Sequence, residues 1–257
     1  MPVKILSMDV SENATRQITA LCGTLKKPVR FFDIDDPEDE ESAEHGAMGE
    51  SQSEYYTVYL STDMERRLFE AHVLYELFHI RQYEAGFPTI CYKDSLLFSE
   101  DREFVEDLGS SVFSGVLDME VYDRLRECRY ADTVRLIAEN SYDVLISAAS
   151  HKFSNLDDKY NFAHLVIAIA KVLYHTSSEQ DAKVQESFSD YPLVLEQSFS
   201  VRDMLRNNSH DTPDTATVTM GRMLDMLDIW DLFYIRISDK RIRTKSEFES
   251  FLESNQL

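Results

Sequence analysis

The sequence predicts an α+β protein that is mostly helical, with a small mixed sheet in its N-terminal part and a helical C-terminal half. Three observations carry this. The 257 residues include only 7 Gly and 6 Pro, too few turn residues for a many-stranded sandwich or barrel. Hydrophobic residues make up 43% and aromatics 11%, enough for a core that disordered chains lack. Runs of β type occur before about residue 60, whereas beyond about Ser99 apolar residues recur at helical spacing.

The elements follow in order. Ser11 to Leu25 carries Ile18, Leu21, Cys22 and Leu25 on one helical face, with Ser11 as the N-cap. Val29 to Ile34 is a short β-type run. Asp35 to Glu44 is almost wholly acidic, and like charges predict an extended loop there. Its carboxylates show no regular ligand spacing for a cation. Tyr55 to Leu60 (YYTVYL) is the strongest strand, rich in aromatic and β-branched residues. Ser61-Thr62-Asp63 offers an N-cap for a helix from about Met64 to Tyr83, which Gly86-Phe87-Pro88 ends.

The rest reads as helical. Phe104, Leu108, Ser111, Val112 and Val116 form one stripe, and Val121 and Leu125 follow it. Val134 to Ile146 suggests another helix. Tyr160 to Tyr174 is apolar nearly all round, which marks a buried helix. Met220, Met223, Leu224 and Leu227 repeat at i, i+3, i+4 and i+7 and lead into Ile229, Trp230 and Phe233. Such a stripe is core rather than a cofactor site. Asn207 to Thr217 is the clearest late loop. The domain reading is an α/β region over 1–127 and a helical region over 128–257, either separate or one continuous body.

The formal net charge is −21, from 47 acidic against 26 basic residues. Such a surface repels phosphate backbones, so nucleic acid is not expected as a partner. The most basic stretch, Lys240 to Lys245, reads as a solvated helix end. The three cysteines are far apart and suggest free thiols. The N-terminus has no signal-like apolar stretch, and the apolar run Phe162 to Tyr174 is too short to span a bilayer. A cytoplasmic protein without membrane association is the expectation.

One segment carries chemistry. A His-Glu-x-x-His sequence on a helix aims two imidazoles at one zinc ion, and its Glu activates the bound water. Here the segment reads Tyr75-Glu76-Leu77-Phe78-His79. Glu76 and His79 occupy the base and second-histidine positions, and Tyr75 stands where the first histidine belongs. Leu74, Leu77, Phe78 and Ile80 supply apolar packing. The strand YYTVYL precedes the helix, and Asp101 to Leu108 opens an acidic helix behind it.

Together these features, over roughly residues 50–127, resemble the compact cytosolic zincin metallopeptidases of the ImmA/IrrE type. The resemblance implies Glu76 as general base, His79 as a metal ligand and Glu106 as the third ligand from the downstream helix. It does not reach the C-terminal half. Tyr75 ligates a metal only as a phenolate, and its reference pKa near 10 opposes that at neutral pH. His72 shares a face with Glu76 and His79, but two turns, about 10 Å, separate it from His79. A second Glu-x-x-His, which a di-iron bundle requires, is absent from the sequence.

With one ligand position lost, zinc is the cofactor the family implies, and none is expected to be held well. The function implied is that of a degenerate metallopeptidase homologue without hydrolytic activity, binding or regulating a protein or peptide partner. Two alternatives stay open. One is an active metal-dependent peptidase with an altered ligand set and Glu76 as base. The other is a helical interaction protein with no enzymatic ancestry. The remaining histidines, among them His151, His164, His175 and His210, read as core or capping residues.

Overall fold

The computed structural model describes residues 3–34, 54–93, 102–153 and 155–255. The acidic stretch Asp35 to Glu44 lies outside them. The protein is α+β and mostly helical, as the sequence predicts. It forms two compact units, one from Met1–Ala85 with Val121–Val134, the other from Gly86–Glu120 with Arg135–Leu257. The chain therefore passes between the units three times, whereas the sequence reading placed one boundary near residue 127.

In the first unit, β1 (Val3–Ile5) and β2 (Met8–Val10) form an antiparallel pair. Helix α1 (Glu12–Cys22) follows, capped as expected by Ser11, whose side chain accepts from the Ala14 N–H at 3.2 Å. Ala14, Ile18 and Leu21, one face of this helix, are buried. Strands β3 (Val29–Asp33) and β4 (Tyr56–Leu60) run parallel in the register Val29↔Tyr56. Alternation sends Tyr56, Val58 and Leu60 into the core.

Helix α2 (Arg66–Glu84) fills the centre of this unit. It starts two residues later than the capping signal predicts. Its N-cap is Glu65, without a side-chain cap bond. Thr62 instead donates to the Asp33 carboxylate at 2.6 Å, tying the ends of β3 and β4 together. The C-terminal end behaves as predicted, with Gly86 just past the helix at a φ of 81°. Val121 and Leu125, from the last turns of α3 (Arg102–Glu127), complete the core with Tyr130 and Val134.

The second unit is built around α5 (Lys159–His175), which buries Val166, Ile167, Ile169, Ala170 and Leu173. It packs along α7 (Pro192–Asn207), with α4 (Ala131–Ala148), α6 (Ser178–Ser187) and α8 (Pro213–Met226) adding to the cluster. The loop expected over 207–217 is shorter. Thr212 caps α8 through a reciprocal bond with Thr215, and Pro213 opens the helix. A proline at the first helical position lacks only an N–H that would have no intrahelical partner, so it starts a helix as readily as it marks a loop.

The C-terminal half is not wholly helical. After α8 the chain forms β6 (Phe233–Ile237) and β7 (Lys240–Ile242), antiparallel to each other, and β6 also pairs with β5 (Thr89–Tyr92). Phe233, Ile235 and Ile237 recur at period two, the signature of a strand, although they follow directly on the helical stripe of α8. The basic stretch from Lys240 thus lies on β7, and Lys245 begins α9 (Lys245–Asn255).

Candidate functional site

The segment singled out in the sequence sits in the middle of α2. Leu74, Leu77, Phe78 and Ile80 are buried, so the apolar face is where the spacing predicts. Tyr75 and Glu76 are half-buried. His79 is 8% exposed, an uncommon burial for an imidazole.

Among the contacts of His79 are two with neighbours on α2. Its Nδ1 lies 2.9 Å from Gln82 Oε1, a contact whose donor and acceptor roles are set by the imidazole tautomer. The Tyr75 ring meets the imidazole edge-on, with centroids 4.5 Å apart and planes at 82°, an arrangement that aromatic quadrupoles favour. Tyr75 also lies beside Tyr122, at 6.1 Å between centroids. The i, i+4 spacing that would aim two imidazoles at a metal here sets a phenol ring edge-on to the His79 imidazole.

Glu106, the carboxylate the family resemblance implies, belongs to the second unit. Its partner is the Arg102 guanidinium, 2.8 Å away one turn earlier on α3. That cation, aided by the Tyr92 hydroxyl, holds Glu106 below the usual carboxylate range. His72 is half-buried, and burial pushes its pKa below the ordinary 6.5. Desolvation disfavours its charged form.

A catalytic zinc held by a His-Glu-x-x-His segment uses two imidazoles, of which the Tyr75–His79 pair has one. Such a site needs three protein ligands and an open position. A metal-ligating histidine offers one ring nitrogen to the ion and donates the other ring N–H to a neighbour, and Gln82 stands beside Nδ1 of His79. Tyr75 stands as a ring against His79, and Glu106 is paired with Arg102. Among the described residues no three His, Cys, Asp or Glu side chains form a metal-holding group.

The sequence reading missed Glu70, on the same helix. This carboxylate is only 4% exposed. It accepts from the Ser11 backbone N–H at 2.6 Å, the Ser11 hydroxyl at 3.0 Å and the Tyr130 hydroxyl at 2.8 Å. Arg66 approaches it at 3.7 Å. The bond to Glu70, after burial itself, pushes the Tyr130 phenol pKa upward. The available signal was a carboxylate on the apolar stripe, one turn before Leu74 and two before Leu77.

Also unanticipated is a polar contact inside the second unit. Lys171 Nζ donates to Ser114 Oγ at 2.6 Å, and burial depresses the ammonium pKa against the opposing pull of Asp118. His164 is likewise shifted down by burial and lies edge-on to Phe104. His210 is buried, in keeping with a core role, and His175 ends α5.

Comparison of the chain with known protein families, characterised proteins and solved structures gives no match. Among the described residues no helix is long and apolar enough to cross a membrane.

Proposed function

We propose that the chain is a zincin-like protein that has lost metal-dependent hydrolysis and acts in the cytoplasm by binding or regulating a protein or peptide partner. The contact of Tyr75 with His79, 4.5 Å between ring centroids, carries this reading. A tyrosine at the first ligand position removes one imidazole and places its ring on the other. Glu76 keeps the position of a general base, but a base without a metal-bound water has no nucleophile to activate. The strand β4 before α2 and the buried Leu74, Leu77 and Phe78 support a zincin-type framework around this helix.

Peptide cleavage measured with added zinc, for the wild type and for Glu76→Gln, tests the proposal. The expected result is the same background rate for both proteins. Wild-type cleavage that disappears in Glu76→Gln, with the fold intact, would establish the active peptidase instead.

A further inference from the structure

The outward face of the β5-β6-β7 sheet carries a concentration of positive charge. Alternation along β6 buries Phe233 and Ile235 and turns Tyr234 and Arg236 outward. The register places Thr89, Arg236 and Arg241 in one row across the three strands, with Cys91 beside Tyr234 in the next. Arg243 lies just past the end of β7, and its backbone N–H donates to the Glu247 carboxylate. Arg236, Arg241 and Arg243 are exposed. The Arg241 guanidinium lies over the Tyr234 ring at 5.6 Å, and Cys91 stands opposite Tyr234 in the register of β5 and β6.

Arg236 and Arg241 face each other directly on neighbouring antiparallel strands. Like charges so placed destabilise a sheet. The chain has 47 acidic residues, and nearby cations use them: Lys245 pairs with Asp225 at 2.6 Å, and Lys159 with Asp231 at 3.0 Å. Among the described residues Arg236, Arg241 and Arg243 form no ion pair. Charges on β7 could serve to keep an edge strand from pairing. Arg236 is on the central strand, where that purpose does not apply.

We propose that this face is a docking surface for a carboxylate-rich segment of a partner protein. Arg236 and Arg241 would clamp its carboxylates, and Tyr234 would pack against its apolar part. Guanidinium forks match carboxylates bidentately, and Arg and Tyr are enriched among residues that anchor protein interfaces. A nucleic acid is disfavoured, because three arginines release few counterions. The face belongs wholly to the second unit, so the proposal stands apart from the reading of Tyr75 and His79.

Fluorescence anisotropy with a labelled short peptide of alternating Glu and Tyr tests it. The expected result is salt-sensitive binding to the wild type, weakened about tenfold or more by R236E and by R241E. Neither substitution should lower the unfolding midpoint, since each places a carboxylate opposite the remaining arginine. A peptide of alternating Lys and Tyr should not bind. Absence of binding by the Glu peptide, binding indifferent to both substitutions, or tighter binding of single-stranded oligothymidylate through the same arginines would each overturn the proposal.

Discussion

Glu70→Ala is expected to destabilise the first unit by about 3 kcal/mol or more, a large fraction of what a marginally stable unit has. The carboxylate joins α2 to the N-cap of α1 and to the segment after α3, through the Ser11 N–H, the Ser11 hydroxyl and the Tyr130 hydroxyl. Its removal leaves these donors facing a cavity, and each buried unsatisfied donor costs about 1–3 kcal/mol. A saving works against this, because a buried carboxylate is itself expensive to desolvate. The saving is the smaller effect, since three protein donors already replace the lost water. Arg66 contributes little, because its side chain is 63% exposed. Tyr130→Phe, which deletes one donor and its bond together, should cost only about 1 kcal/mol. Amide hydrogen exchange in α1 and α2 measures both variants. Unchanged protection in Glu70→Ala would show that the cluster is not structural.

Gly221→Ala is expected to cost the second unit about 1 kcal/mol or more, although alanine is the better helix former. A Cβ at Gly221 would overlap three carbons of the Phe248 ring. That ring is 4% exposed and lies 5.6 Å from Trp230 between centroids, so it has little room to retreat. Overpacking a core typically costs about 1–3 kcal/mol. The helix-propensity gain of alanine over glycine, about 1 kcal/mol, opposes it. The overlap should prevail because it involves a packed ring rather than the end of a flexible side chain. Urea unfolding followed by the fluorescence of Trp230, the only tryptophan, reports this unit directly. Shortening the ring in Gly221→Ala/Phe248→Leu should make the pair less costly than the sum of its single changes. A stabilised Gly221→Ala would mean that α8 and α9 separate easily.

These residues also show what a sequence reveals. Helix α2 was legible because a 3.6-residue period and the glycine after it are local signals, and the encounter of Tyr75 with His79 follows from their spacing alone. Strands β6 and β7 were not. Phe233-Tyr234-Ile235-Arg236-Ile237 alternates at period two, but it comes straight after the Met220–Leu227 stripe and reads as its continuation. The role of Glu70 was hidden because its partners lie 59 and 60 residues away, at Ser11 and Tyr130. Periodicity carries no information across that separation. Glu106 stood in a suitable helix by sequence order. Its pairing with Arg102, at i and i+4, was readable from the same segment.

The central claim is that Tyr75 in place of a histidine leaves α2 with a zincin-like form and no working zinc site. The zinc content of the purified chain, measured by mass spectrometry after equilibration with zinc and gel filtration, tests this most directly when Tyr75→His is measured beside the wild type. The account predicts far less than one zinc per wild-type chain and a clear rise in Tyr75→His, where two imidazoles again share the helix face. One zinc per wild-type chain, lost on His79→Ala, would contradict it.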